Sequence, residues 1–313
     1  METVCVPEYG RPDVLEVVDT AVPAPDTGEV QIDVRAAGVN FADVEKRRGN
    51  YPDGPEPPYH PGLEVAGIVE AIGKNVDLAV GDRVAALTTG SGYAEHAVAP
   101  VDTVVGLPEG CSFIEGTALS VQWLTAHNAL FEWGGLESDE RVLVTAAAGG
   151  VGTAAVQLAV AADAVVIGAA STEEKRELVR GIGAEQAVEY GAIEDLTIDL
   201  ALDGVGGGTF TDAIEALASG GRIVTYGMAS GRVPTIATPR LFFENKSVLG
   251  YHLEKALDHV PVRVLSAVPE LVKHFSREAV EVVVGDTFPL TAAAEAHRQL
   301  QERESCGKLV LVP

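Results

Sequence analysis

Apolar and polar positions along this chain follow two different rhythms. Up to about residue 117 they form short stretches closed by turn residues. "EVQIDVRAAGV" (29–39) alternates at period two, and "EVAGIVEAIG" (64–73) and "GDRVAAL" (81–87) are similar runs bounded by glycine. Such runs predict half-buried strands. "GNYPDGPEPPYHPG" (49–62) has five prolines and three glycines in 14 residues and reads as loop. After Pro108 the pattern turns helical through "SFIEGTALSVQWLTAHNAL" (112–130).

From Arg141 strand and helix patterns alternate. Strand "RVLVTA" leads to helix "GTAAVQLAVAA", strand "AVVIGAA" and helix "STEEKRELVRGIG". Strands "QAVEY" and "IDLALDG", helix "TFTDAIEALASG", and strands "GRIVTYG" and "SVLGY" follow. Six strands with helical crossovers predict an α/β fold with a doubly wound parallel sheet of the Rossmann kind. The remaining chain holds helical "VPVRVLSAVPELVKHFS" and "TAAAEAHRQLQ" and a last strand "KLVLVP". These changes divide the chain into a β-rich domain over 1–120, a dinucleotide-binding domain over 121–253, and a stretch over 254–313 that completes the first domain.

Between the first strand and helix of the alternating region stands Ala147-Ala148-Gly149-Gly150-Val151-Gly152. It matches the dinucleotide fingerprint G-x-G-x-x-G with alanine in the first place, in the strand-turn-helix context that makes the match informative. Bare backbone at Gly149 and Gly150 lets a pyrophosphate approach, and the helix beyond offers unpaired N–H groups and the positive end of its dipole. The alternative is a glycine-rich turn without a ligand. An NAD site usually places an acid at the end of the second strand. Here that strand runs into Ser171 and Thr172, with no acid before Glu173, and Lys175 and Arg176 follow within reach of a 2′-phosphate. NADP(H) is therefore the expected cofactor, with Lys175 paired to a neighbouring glutamate as the alternative.

Composition narrows the setting. At 313 residues the chain suits about two domains. A hydrophobic content of 47% with 22% charged residues is that of a soluble globular protein. No apolar run reaches the roughly 18 to 20 residues of a membrane span, and "METVCVPEYG" lacks the features of a secretory signal. Cysteines at 5, 111 and 306 are too few and too scattered for a disulfide framework or a closed metal site, so a cytoplasmic protein is expected. The net charge of -24 argues against nucleic-acid binding. The acids are spread along the chain, and only seven lysines stand beside 15 arginines. Scattered acids with scarce lysine resemble proteins of salt-loving organisms, whose counterions screen self-repulsion. An acidic protein from an ordinary habitat is the alternative.

"AAGVNFADVEKRRGNYP", "PGLEVAGIVEAIG", "VGDRVAAL", "WLTAHNAL", "AAAGGVG" and "GKLVL" stand in the order found in the medium-chain dehydrogenase/reductase superfamily. The chain most resembles its zinc-free, zeta-crystallin-like quinone oxidoreductase branch. That resemblance implies a GroES-like catalytic domain built from both chain ends, a Rossmann domain, NADPH held in a cleft, and a homodimer. Zinc alcohol dehydrogenases of this superfamily use a cysteine and the histidine of a Gly-His-Glu motif. Here those places read Asn40 and Leu63, leaving only Glu64, and no metal is expected. His60, a loop histidine nearby, is expected to be solvated.

Without a Lewis acid, the favoured reaction is hydride transfer to an already electrophilic acceptor, a quinone or an α,β-unsaturated carbonyl. Family-matched positions supply the candidate site. Asn40 would donate its amide to the nicotinamide or a developing oxyanion, Tyr51 a phenol, and Thr125 a hydroxyl near nicotinamide and ribose. Tyr190 matches a position near the adenosine phosphate, and Gly227 and Met228 follow the fifth strand at the sheet's carboxyl edge. Each keeps a plainer alternative: Asn40 as turn former, Tyr51 as loop packing, Thr125 as helix-surface hydroxyl, Tyr190 as core. Asp43 and Glu64 are expected to be structural, through turn or backbone hydrogen bonds. Phe242 and Phe243 either face a flat acceptor or fill the core, core filling being preferred. An enoyl-thioester reductase and a catalytically silent NADPH-binding protein are the competing readings.

The charge pattern predicts a salt response. Raising KCl from about 0.1 M to about 1 M shortens the screening length from about 10 Å to about 3 Å. The thermal unfolding midpoint is expected to climb with it, and full stability in dilute buffer would contradict the high-salt reading.

Overall fold

The computed structural model describes residues 1–276 and 280–313. They divide into two compact units, Met1–Val121 with Val272–Pro313, and Gln122–Leu271. The first unit opens with an antiparallel ribbon, β1 (Glu2–Cys5) on β2 (Glu16–Asp19). Next come β3 (Glu29–Val39), helix α1 (Phe41–Arg48), β4 (Glu64–Ile72), β5 (Arg83–Leu87), β6 (His96–Pro100) and β7 (Val104–Gly106). β3 pairs antiparallel with β4 from Val30↔Ile72 to Ala37↔Val65, and its first half also pairs with β6. Its alternation fades after Val34 because Ala36, Ala37, Gly38 and Val39 are all buried. Helix α2 (Phe113–Ala118), which packs on β3, starts at Ser112, whose hydroxyl accepts from Glu115 N at 3.2 Å. The helical path then continues through π-type turns over Leu119–Trp123 and Asn128–Trp133, either side of α3 (Leu124–His127).

The second unit carries β8 (Arg141–Val144), α4 (Gly150–Ala161), β9 (Val165–Ala169), α5 (Glu173–Gly181), β10 (Gln186–Val188) and β11 (Ile198–Asp203). It continues with α6 (Gly207–Ala216), β12 (Leu217–Thr225), α7 (Pro239–Glu244) and β13 (Ser247–Gly250). All six strands pair in parallel, in the order β10-β9-β8-β11-β12-β13. Chain direction across the sheet therefore reverses between β8 and β11, the switch point where open α/β sheets bind ligands. Parallel strands covered on both faces need apolar side chains throughout, and Val142, Leu143, Val144, Leu200, Ala201 and Leu202 are all buried.

Two expectations are corrected here. Phe242 and Phe243 do not fill the core; they are 64% and 79% exposed and pack on each other, ring centroids 4.4 Å apart. Asn245, at φ 53°, ends α7 after six residues, and the inward position goes to Lys246, whose ammonium donates to Ile214 O at 2.9 Å. Residues 254–271, assigned from sequence to the first domain, belong to the second unit. There α8 (Leu253–His259) and α9 (Pro261–Leu265) are followed by the start of α10 (Val268–Ser276). Val264 and Ala267 are fully buried, Asn128 Nδ2 donates to Val264 O at 3.1 Å, and Arg263 lies over the Trp133 ring at 4.2 Å. Residues 277–279 of that assigned stretch lie outside the described residues.

The chain then re-enters the first unit as β14 (Val284–Pro289), α11 (Ala293–Gln301) and β15 (Lys308–Val312). β15 lies antiparallel to the end of β3, with Leu309 opposite Val39 and Val310 opposite Gly38. The last strand thus completes the sheet that carries Asn40. Among the described residues no helix is long and apolar enough to cross a membrane.

A buried polar cluster pins α1 against α11. Asp43 Oδ2 accepts from Asn40 N at 2.9 Å and from the Tyr93 hydroxyl at 3.0 Å. Tyr93 spends its one proton there, so His297 Nε2, 3.2 Å away, must donate to the phenol oxygen. Arg47 Nη2 donates to Gln301 Oε1 at 2.8 Å. Burial pulls the His297 imidazole down to about 3, helped by Arg47, and pushes the Asp43 carboxyl up to about 6.

These two groups act on stability with opposite signs. Unfolded His297 binds a proton below about pH 6.5 that the folded form refuses, so its contribution rises with pH from about 3 to 6.5. Folded Asp43 keeps a proton that the unfolded chain has released, so its contribution falls as pH rises from about 4 to 6. His297→Gln should therefore lose stability relative to the parent by about 1.4 kcal/mol for each unit raised between pH 4 and 6. Asp43→Asn should gain at a similar rate. Chemical unfolding at pH 4.5, 5.2 and 6 reads both slopes (values chosen inside the shared window), and parallel curves for parent and variants would refute the assignment.

Candidate functional site

In the second unit the glycine loop follows β8. Ala146 sits in the left-handed region at φ 48°, a strained place for a residue with a Cβ, and its carbonyl accepts from Gly149 N at 2.9 Å. Gly149 caps α4 in an extended conformation (φ -82°, ψ 176°), and Thr153 N closes the first helical turn on Gly149 O at 2.8 Å. The N–H groups of the first helical residues have no partner within the helix.

The three glycines differ in what forbids a side chain. A Cβ at Gly152 would lie 2.7 Å from Ala147 Cα, so that glycine serves close packing of helix on loop. One at Gly150 would overlap the Gln122 amide. A Cβ at Gly149 would meet only Ala146 O, at 3.3 Å. Its dihedrals do not require glycine, Ala146 O is the one atom that a side chain would crowd, and the rest of the opening is of the kind a phosphate uses.

Around this loop the carboxyl ends of the strands are knitted together. Asp203, buried at the end of β11, accepts from Thr145 Oγ1, Val205 N and Gly206 N, each at 3.0 Å. Burial raises its pKa while these bonds oppose the rise. Gly204 N donates to Thr145 Oγ1 at 3.1 Å, and Gly204 O accepts from Ala229 N at 3.0 Å. Gly227 and Met228 thus stand on a loop tied to the end of β11, with Met228 44% exposed. Thr125 lies on α3, which packs against α4, and is buried at 7% exposure, so the surface-hydroxyl alternative fails.

Ser171 and Thr172 are exposed beyond β9, and Thr172 Oγ1 caps α5 by accepting from Lys175 N at 3.2 Å. Arg176 Nη1 donates to Ala170 O at 3.1 Å, and its Nε to Glu173, which also holds Arg180. Tyr190 begins a 3₁₀ turn and packs against the sheet's core cluster.

The first unit holds a second constellation around Asn40, the N-cap of α1. Asn40 Nδ2 donates to Glu64 Oε1 at 2.7 Å, and Lys308 Nζ donates to Asn40 Oδ1 at 3.1 Å. Lys308 also forms an ion pair with Glu64 Oε1 and reaches Val39 O at 3.4 Å. Glu64 Oε2 accepts from Val121 N at 2.7 Å. Glu64 and Lys308 are fully buried. Glu64 does make the expected backbone bond, but its main partner is a lysine from the far end of the chain.

The Tyr51 ring has Lys46 Nζ 4.9 Å from its centroid. His60 is not simply solvated, since its Nδ1 bonds to Val4 O at 2.9 Å. Among the described residues no group of three His, Cys, Asp or Glu side chains is placed to hold a metal ion.

Sequence reasoning missed Lys308, Gln122, Thr145 and Asp203. Lys308 left one usable signal: a lone lysine at the head of the apolar run "LVLV" in a terminal strand has to find a buried partner.

Comparison with known proteins gives two family matches, the alcohol dehydrogenase GroES-like domain over residues 26–124 and the zinc-binding dehydrogenase domain over 150–268. A quinone oxidoreductase of Lama guanicoe is 35% identical, over 100% of this chain and 97% of its own. The human synaptic vesicle membrane protein VAT-1 homolog is 32% identical over 94% and 81%. The Escherichia coli quinone oxidoreductase in complex with NADPH superposes with a TM-score of 0.93 at 29% identity, covering 100% of both chains. The Thermus thermophilus quinone oxidoreductase, also known in complex with NADPH, gives 0.87 at 37%, again over 100% of both. Full-length likeness of this kind, on a GroES-like unit and a parallel dinucleotide-binding sheet, places the chain in the medium-chain dehydrogenase/reductase superfamily, in its quinone oxidoreductase branch.

Proposed function

We propose that this protein is a zinc-independent NADPH-dependent reductase that acts on quinones or α,β-unsaturated carbonyls. The observation that carries the cofactor reading is Gly149, whose dihedrals do not call for glycine and whose missing side chain leaves open space beyond Ala146 O, at the mouth of a helix and the switch point of the sheet. NADPH, when bound, supplies a hydride. The chain's part is to hold and orient. The N–H groups at Gly150, Val151 and Gly152 and the α4 dipole would receive the diphosphate, with the bare Cα of Gly149 leaving its approach open. Ser171, Thr172 and Lys175 would receive the 2′-phosphate, with Tyr190 beside the adenosine and Thr125, Gly227 and Met228 toward the nicotinamide end.

Asn40 has one amide N–H left outside its triad, the other being bound to Glu64. We assign that N–H to the carbonyl oxygen of the acceptor, where charge gathers during reduction, with Tyr51 as a second polar group. What supports zinc independence is the ammonium of Lys308: it sits within hydrogen-bond reach of both Asn40 and Glu64, where a cation would be repelled. For assembly, β13 is one of the two edges of its sheet and Phe242 and Phe243 are exposed beside it in sequence, features that support a homodimer. Cysteine usage, three in 313 residues, supports a cytoplasmic setting.

Purified protein with NADPH should consume nicotinamide absorbance with quinones or enals and leave enoyl thioesters largely untouched. Turnover of enoyl thioesters alone would favour the thioester reading, and tight NADPH binding without any turnover would mark a silent binding protein. Nucleotide titrations test the loop directly. Gly149→Ala should keep stability within about 1 kcal/mol of the parent yet weaken NADPH binding about tenfold or more. Lys175→Ala should weaken NADPH about tenfold while NADH changes little. Equal losses for both nucleotides would remove Lys175 from the 2′-phosphate.

A further inference from the structure

We propose that Lys308 and Glu64 are positioning residues that set which way round the Asn40 side-chain amide stands, so that an N–H and not a C=O is left for the acceptor. This rests on the reading of Asn40 given above. A carboxamide has two ends of almost equal shape, and packing alone cannot choose between them. Here the choice is made by charge. Lysine offers only donors and an ionised carboxylate only acceptors. Oδ1 faces Lys308 Nζ at 3.1 Å and Nδ2 faces Glu64 Oε1 at 2.7 Å. Turning the amide over would put N–H against ammonium and C=O against carboxylate, and neither charge has water to screen it, because both side chains are 0% exposed.

The surrounding structure serves the same end. Lys308 distributes its ammonium over Glu64, Asn40 Oδ1 and Val39 O, and Glu64 Oε2 is anchored by Val121 N. The Asn40 backbone N–H is tied separately to Asp43. Gly38 makes room, since a Cβ there would lie 2.6 Å from Lys308 Nζ. Strand attachment does not explain the pair, because β15 is already laddered to β3 through Leu309, Val310 and Leu311. Nor does stability, since a buried ion pair seldom outperforms apolar residues of similar volume. Orientation is what the pair adds.

The test is a mutational cycle in the full-length protein with two readouts. K308M/E64Q removes both charges at similar volume, and its new amide can present either end to Asn40. In side-chain amide NMR spectra the Asn40 NH₂ pair should be sharp and slow to exchange in the parent, and shifted and broadened in K308M/E64Q. In enone or quinone turnover, Asn40→Ala should lower kcat by roughly a hundredfold, and K308M/E64Q should lose at least about tenfold with KM for NADPH little changed. Combining them should be no worse than Asn40→Ala alone, because the pair acts only through Asn40.

Wild-type amide resonances in K308M/E64Q, or equal losses in both backgrounds, would overturn the proposal. If the resonances respond but Asn40→Ala leaves turnover unchanged, the positioning stands and the acceptor role of Asn40 falls. Should K308M/E64Q not fold, Glu64→Gln alone carries the same two readouts with a change of one functional group.

Discussion

Parallel strands cannot be joined by a tight turn; each needs a crossover, and here helices supply most of them. In the second unit that constraint generates nearly everything of functional interest. Covering both sheet faces forces continuous apolar strands such as "VLV" in β8 and "LAL" in β11. The reversal of direction between β8 and β11 leaves their carboxyl ends flanking a crevice that no crossover fills. Thr145 and Asp203, one residue past and at the last residue of those strands, bridge the two ends at 3.0 Å. The bond ties the two strand ends together, and beyond them the first turn of α4 has N–H groups without partners inside the helix. A fold requirement leaves the crevice to which we assign the nucleotide.

The first unit solves a different problem, the burial of charge. Asp43, Arg47, Glu64, His297 and Lys308 are all inside it, each at 1% exposure or less. Isolated, any one of them would be ruinous. They fall into two linked groups that meet at Asn40: its backbone N–H binds the Asp43 cluster and its side chain binds Glu64 and Lys308. Asn40 is held at both backbone and amide, which is what a donor needs if it is to act without reorganising.

Most of this architecture was legible in the residues. The six strands of the parallel sheet, their order of appearance and the glycine loop follow from hydrophobic period and turn chemistry, both local properties. What escaped is non-local. Phe242 and Phe243 carry the composition of a core segment, but the left-handed turn at Asn245 sends Lys246 inward in their place. The second unit runs to residue 271 rather than 253, and Asn128, far upstream, donates its amide to Val264 O within that added stretch. Lys308 could be flagged as a buried lysine, yet its partners stand 244 and 268 positions away, a distance no periodicity spans.

Acidity and cofactor chemistry bear on each other through distance. A net charge of -24 repels a polyanionic nucleotide from afar, and that long-range field is what salt removes. At contact, the groups to which we assign the nucleotide are main-chain N–H dipoles and the short cationic run Lys175–Arg176, and Glu173 already draws on Arg176. Dipoles aimed at a bound phosphate act over a few ångströms, well inside the screening length at any ordinary ionic strength. A binding site built from oriented backbone rather than from many lysines would therefore keep its grip in concentrated salt, while the surface repulsion that opposes approach would be screened away. In the proposed site, Lys175 would act on a phosphate and Lys308 on an orientation, each as a single charge at short range.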